Sequence, residues 1–125
     1  MTSQSTPSRG DVWIVDLNPT QGDEIGKRRT AVVISCDGLG RLALHMIVPI
    51  TEWKPAFAAY PWFEKLLPSE RNGLAKESGA DAFQLRSVSR DRFVKKLGII
   101  PGSQMQSICL RVAICIGLDP SGGIA

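Results

Sequence analysis

Only one stretch of this chain carries a sustained helical period, and it comes last. Before it, Gly, Pro and Asn cut the apolar residues into short β-branched runs. Asp11 to Leu17 (DVWIVDL) is the first run, closed by the turn signal Asn18-Pro19-Thr20. Thr30 to Cys36 (TAVVISC) is the second, and Asp37-Gly38 would turn the chain toward a third over Leu42 to Ile50 (LALHMIVPI). A further strand is expected over Ala58 to Leu67, where Pro61 calls for an edge position or a bulge, and a strand pair over Gly73 to Ser89. After Pro101, the residues Met105, Ile108, Cys109, Val112 and Ile116 recur at 3.6-residue spacing. Ser103 and Gln106 fit a capping box, and Gly117 a helix stop. Strands followed by one amphipathic helix imply a mainly β (α+β) fold, a small bent antiparallel sheet or barrel covered by that helix.

At 125 residues the chain holds one ordinary core. A single domain over residues 9–118 is expected, between a Ser/Thr/Gln/Pro-rich arm at 1–8 and a tail at 119–125, both disordered. No apolar run approaches the ~20 residues that span a bilayer, and MTSQSTPSRG lacks the layout of a secretory signal. The expectation is a cytoplasmic protein with no membrane partner. Cys36, Cys109 and Cys115 are odd in number and each lies in an apolar stretch, so they read as small buried hydrophobes. The net charge of +3 leans only slightly toward an anionic partner.

Several chemistries lack their residues. His45 is the only histidine and sits in a strand-like run, which excludes a two-histidine acid–base pair and marks it as structural. The acids are scattered singly, so no metal and no cofactor is expected. There is no GxSxG elbow, and Gly22 and Gly26 lack the Gly-Lys-Ser/Thr of a P-loop. What remains is chemistry by Arg, hydroxyls and carboxylates, a set suited to binding a phosphate and redistributing its charge. The stretch Gln21 to Arg29 (QGDEIGKRR), with one apolar residue among acids and bases, reads as a mobile charged loop.

Arg9 to Ser35, RGDVWIVDLNPTQGDEIGKRRTAVVIS, holds a Gly-Asp-Val-Trp strand, an Asn-Pro-Thr turn, a Gly-x-Glu loop and an Arg entering a Val-rich strand. Val48-Pro49-Ile50-Thr51, Gln84-Leu85-Arg86-Ser87 and Lys95-Lys96-Leu97-Gly98 follow in order. This pattern resembles the MazF/PemK family over about Arg9 to Leu118. The resemblance implies a barrel of the MazF/CcdB toxin type, a homodimer, and the toxin of a type II toxin–antitoxin pair that cuts single-stranded RNA without a metal. It also implies a cognate antitoxin whose disordered tail lies over the Gln21 to Arg29 loop, where an acidic segment would suit Lys27, Arg28 and Arg29.

Carried over by motif position, the catalytic pair is Arg29 and Thr51. Attack of a ribose 2′-hydroxyl on its phosphate builds negative charge that a guanidinium meets with paired donors, and a threonine hydroxyl can position the same group. Glu24 matches the Gly-x-Glu pattern as the base or as a group orienting Arg29, but it can equally pair with Lys27 or Arg28. Lys27, Arg28, Gln84, Arg86, Asp81 and Trp53 are candidate RNA-binding residues. Two departures stand out: Arg29 is followed by Thr30 rather than Pro, and Phe83 stands where the pattern has Asp. Asp81, two residues earlier and expected on the same strand face, is the candidate substitute. Trp13 reads as core or dimer interface. Arg86, Arg90 and Arg92 with Lys95 and Lys96 form a basic stretch that either tracks RNA or solubilises a turn.

Two other functions fit the same fold. A CcdB-like toxin that poisons DNA gyrase by binding would keep its inhibition after Arg29→Ala. A catalytically silent RNA-binding barrel would bind RNA without product, and as tightly after Thr51→Ala.

Overall fold

The computed structural model describes residues 6–39, 43–119 and 121. Its strands are β1 (Asp11–Asp16), β2 (Arg28–Val33), β3 (Leu44–Glu52), β4 (Phe63–Leu66), β5 (Ser78–Asp81), β6 (Arg86–Ser89) and β7 (Phe93–Ile99), followed by helix α1 (Gly102–Cys115). They form one antiparallel sheet in the order β4-β5-β3-β2-β1-β7, with β6 also paired to β3. The mainly β fold with one C-terminal helix is therefore as expected. The sheet is bent but does not close into a barrel, and β4 and β7 end it.

Both faces of the sheet bury apolar residues, because successive strand residues point to opposite sides. Val12, Val32, Val48 and Ile50 lie on one face, where Met105 and Ile108 of α1 pack on them. Trp13, Val15, Ala31, Val33 and Ile47 lie on the other, closed off by Val88 and Phe93. Trp13 is fully buried and meets Phe93 edge-on with centroids 5.6 Å apart, so its place is the core. Its indole N–H donates to Asp11 Oδ2 at 3.2 Å. Truncating such a residue to Ala costs about 3–5 kcal/mol.

The bend has visible causes. The β1–β7 register shifts twice, between Val12 and Trp13 and between Ile14 and Val15, and such bulges increase local twist. On the far edge of β3, β5 pairs with Ile50 to Glu52 and β6 with Leu44 to Ile47. Between them a 3₁₀ turn over Ala82–Gln84 leaves the sheet opposite Val48 and Pro49, where Pro49 has no N–H to offer a partner.

Several expectations need correction. Strands β2 and β3 sit two residues out of step with them, so Arg28, Arg29 and Thr51 lie on strands rather than in a loop or after a strand end. The strand expected over Ala58 to Leu67 is shorter: Ala58 and Ala59 end a 3₁₀ turn (Pro55–Ala59), a turn at Pro61 follows, and only Phe63–Leu66 form the edge strand β4. Phe83 lies in the 3₁₀ turn, so it shares no strand face with Asp81. The capping box does not form: Pro101 occupies the cap position without a side-chain bond, and Ser103 is already helical. Ile116 is 67% exposed because the helix ends before it, while Gly117 does adopt the left-handed stop at φ 75°. Cys36 is exposed and Cys109 and Cys115 are half-buried, so none is a packed core residue. Strand β7 went unanticipated. Leu42, the expected start of β3, lies outside the described residues, as do residues 1–5, 120 and 122–125 of the expected arms.

Candidate functional site

The β2–β3 ladder pairs Val32 with Val48 and Thr30 with Ile50, and Arg29 and Thr51 each lie one residue beyond that last pair. Arg29 is paired instead with Val15 on β1, and Thr51 with Gly79 on β5. Both line a cleft of about 490 Å³ together with Arg28, Thr30, Glu52 and Lys76. Arg29 is exposed and Thr51 half-buried. The Arg29 Nε donates to the Gly26 carbonyl at 3.2 Å, which leaves the two Nη groups of the guanidinium for a ligand. A phosphate in this cleft would meet a guanidinium fork and a neutral hydroxyl.

The loop between β1 and β2 is a tight, internally bonded structure. Asn18 Oδ1 accepts from Lys27 N–H at 2.8 Å, and Lys27 carbonyl accepts from Leu17 N–H at 2.9 Å. Lys27 takes a left-handed φ of 64°, uncommon for a residue with a side chain. A Cβ on Gly26 would stand 2.8 Å from Thr20 Oγ1 and 2.9 Å from Asn18 Oδ1, so only glycine fits without displacement. Lys27 and Arg28 are exposed, and neither is in an ion pair among the described residues.

Glu24 lies outside the cleft lining. Its Oε1 accepts from Gln21 N–H at 2.7 Å, closing a local turn, and none of the described ion pairs joins it to Lys27 or Arg28. Gln84 reaches the same loop: its Nε2 donates to the Asp23 carbonyl at 3.1 Å and its Oε1 accepts from Ile25 N–H at 3.2 Å. Arg86 Nη1 donates to the Leu17 carbonyl at 3.1 Å. Arg92, which sequence reasoning placed only in a basic stretch, donates to the carbonyls of Asp16, at 3.1 Å, and Asn18.

Asp81 is buried and caps the 3₁₀ turn, accepting from Phe83 N–H at 3.1 Å. Burial pushes its carboxyl above the ordinary value, against the pull of backbone bonds from Phe83 and Gln84. Burial first, and then the Asp81 charge, raise the Cys115 thiol at the end of α1. Trp53 is half-buried in an aromatic cluster, edge-on to Phe57 and Phe63, with Lys65 Nζ 5.4 Å from its ring centroid. Phe83 is 67% exposed and lies edge-on to Trp62.

A larger cavity, about 660 Å³, opens beside the β2–β3 connection and contains His45, Arg90, Asp37 and Cys36 but neither Arg29 nor Thr51. Burial, then the Arg90 charge, hold His45 below the usual imidazole value, and its ring packs edge-on to Phe93. Among the described residues no three His, Cys, Asp or Glu side chains converge as metal ligands would. No helix among them is long and apolar enough to cross a membrane.

Known proteins are similar to this chain in sequence and in fold. Residues 8–116 match the family of PemK-like, MazF-like toxins of type II toxin–antitoxin systems. The chain is 31% identical over 106 residues to endoribonuclease MazF9 of Mycobacterium tuberculosis, covering 80% of this chain and 87% of that protein. Its fold superposes on a MazF crystal structure from Deinococcus radiodurans with a TM-score of 0.75 at 24% identity, over 92% of this chain and all of that one. A mycobacterial endoribonuclease in complex with its cognate antitoxin matches with a TM-score of 0.70 at 20% identity, over 90% and 97% of the two chains.

Proposed function

The chain belongs to the PemK-like, MazF-like toxin family of type II toxin–antitoxin systems, and from that membership we propose that it is an endoribonuclease toxin cutting single-stranded RNA without a metal ion. The observation that supports the chemistry is that Arg29 and Thr51, each one residue beyond the last β2–β3 pair, both line one cleft.

In this mechanism the ribose 2′-hydroxyl gives up its proton and attacks its neighbouring phosphorus, and the P–O5′ bond breaks as the departing 5′-oxygen takes up a proton from water. The products are a 2′,3′-cyclic phosphate and a 5′-hydroxyl. Charge builds on the non-bridging oxygens, where the two free Nη groups of Arg29 donate in a fixed fork. Thr51 holds the phosphate through its hydroxyl. Arginine stays protonated and makes a poor base, so a carboxylate is wanted, and Glu24 is the leading candidate. Glu24 reaches the 2′-hydroxyl only by leaving its bond to Gln21 N–H, an exposed contact that costs little to break. Lys27 and Arg28, exposed at the rim, meet the RNA backbone; Trp53 and Arg86 flank it. Asp81, buried as a cap, acts through the turn it holds rather than on the RNA.

The same exposed cations fit the partners proposed for the protein in the cytoplasm. It acts as a homodimer, and a cognate antitoxin lays an acidic, disordered tail along the β1–β2 loop, covering Lys27, Arg28 and Arg29.

The test is incubation of the purified chain and its Arg29→Ala variant with a defined RNA pool in EDTA, followed by end mapping. Cyclic-phosphate ends made only by the unaltered chain are the expected result. An intact pool in both samples sinks the reading.

A further inference from the structure

The β1–β2 loop is gripped by its main chain from the opposite side of the fold. Gln84 takes both a carbonyl and an N–H with one planar amide, at Asp23 and Ile25, a two-point contact that a single pivoting bond cannot match. Arg86 and Arg92 add donor bonds to main-chain carbonyls at the loop's entry, Leu17 and Asp16. These contacts use the loop main chain, and Lys27 and Arg28 stay exposed and outside every ion pair among the described residues.

The grip leads directly to Arg29. One residue beyond Ile25 lies Gly26, whose carbonyl accepts from Arg29 Nε at 3.2 Å. The Gly26 carbonyl shares a peptide plane with Lys27 N–H, which donates to Asn18 Oδ1 at 2.8 Å, so it moves with the loop main chain rather than alone. We propose that Gln84 is a positioning residue: its amide fixes the loop so that the Gly26 carbonyl orients the Arg29 guanidinium toward the cleft. This rests on the reading of the protein as an endoribonuclease, and it gives Gln84 a role through the loop instead of through contact with RNA.

The experiment compares the full-length protein with Gln84→Ala and Gln84→Glu, by amide hydrogen exchange without RNA and by single-turnover RNA cleavage. In Gln84→Ala the Lys27 and Leu17 amides, which Gln84 does not touch, lose roughly tenfold protection, while Val32 and Val48 keep theirs and show the fold intact. Cleavage falls by about tenfold or more in kcat with KM within about twofold. Gln84→Glu can accept from Ile25 but cannot donate to Asp23 while ionised. Its loop protection, corrected for intrinsic exchange, therefore recovers as pH falls toward about 4.3 and the carboxyl regains a donor. A raised KM with unchanged kcat and unchanged Lys27 exchange overturns the proposal and makes Gln84 an RNA contact. If the unaltered chain cuts no RNA, the exchange measurements still decide whether the clip exists, separately from the enzymatic reading.

Discussion

Arg29 donates its Nε to the carbonyl of Gly26, three residues back along the chain, so the loop that precedes β2 orients the side chain that β2 carries. The bond uses the one guanidinium nitrogen least suited to bidentate phosphate binding through the Nη pair. Arg29→Lys keeps the charge but loses both the fork and the Nε donor. It is expected to lower single-turnover cleavage about 10²- to 10³-fold. Arg29 is exposed, so chemical denaturation should shift by no more than about 0.5 kcal/mol. Near-wild-type cleavage by the lysine variant would rule out a role for the fork.

Thr51 can be tested by shape. Thr51→Val preserves the β-branch that suits β3 and removes only the hydroxyl, whereas Thr51→Ser preserves the hydroxyl. A positioning hydrogen bond of about 1.5–3 kcal/mol to a charged group predicts a loss of roughly ten- to hundredfold in valine. Serine should stay within a few-fold. If serine and valine behave alike in cleavage assays, the residue serves the strand alone.

Much of this arrangement could be read from residue order, and the part that could not has a physical reason. Alternation along DVWIVD and TAVV identifies the strands because each face buries its own cluster. Arg29 and Thr51 came from motif position, and the register of β2 on β3 puts each of them one residue beyond the last pair, Thr30 with Ile50. Gln84, Arg86 and Arg92 were visible only as polar residues in a suggestive pattern. Their partners lie 59 to 76 residues away and are backbone groups, which carry no sequence signature. The 3₁₀ turn that displaces Phe83 was hidden for a similar reason, since its cap, Asp81, is also at home at a strand end. Ser103 shows the converse: a good local signal loses when Pro101 already supplies the extended cap geometry one turn edge earlier.

Asp81 predicts a pH signature in stability. Burial raises its folded pKa above the ordinary aspartate value, so the fold prefers the protonated carboxyl. Its favourable contribution is present below that unfolded value and is lost as pH rises through the folded one. Asp81→Asn keeps an oxygen to accept from Phe83 N–H and has no charge to bury. Denaturation measured across pH 3 to 7 should show the asparagine variant gaining on the parent as pH rises through this window. A parallel pair of curves would mean that the carboxyl is solvated in the fold.

His45 acts in the opposite direction. Burial and Arg90 lower its folded pKa from 6.5, so the fold prefers the neutral ring. That preference is fully expressed above the unfolded value and is lost as pH falls through it toward the folded one. His45→Phe retains the edge-on packing against Phe93 and removes the titration. Its stability should fall less than the parent's between about pH 7 and pH 5.

Gly98 closes the resembled Lys-Lys-Leu-Gly run for a reason that concerns packing rather than RNA. A Cβ there would stand 2.2 Å from the Arg71 carbonyl oxygen and 2.6 Å from the Asn72 carbonyl carbon, both backbone atoms with no freedom to swing away. The same contact holds β7 against the turn before Leu74, where Ile99 N–H donates to the Arg71 carbonyl at 2.9 Å. From the other side, a Cβ on Gly73, at φ 70°, would stand 2.3 Å from the Leu97 carbonyl oxygen. Two backbones therefore cross at glycine-only positions, and Asn72 pins the turn by accepting from Ser69 and Leu74 N–H and donating to the Leu67 carbonyl. Gly98→Ala must push that turn outward and strain the β1–β7 pairing, at a cost of about 2–3 kcal/mol. Gly102→Ala, where an added Cβ meets nothing within 4 Å, is the control and should be neutral or slightly stabilising in the first turn of α1. Urea denaturation of the two variants should separate them by at least about 2 kcal/mol. Equal midpoints would show that the crossing opens without cost.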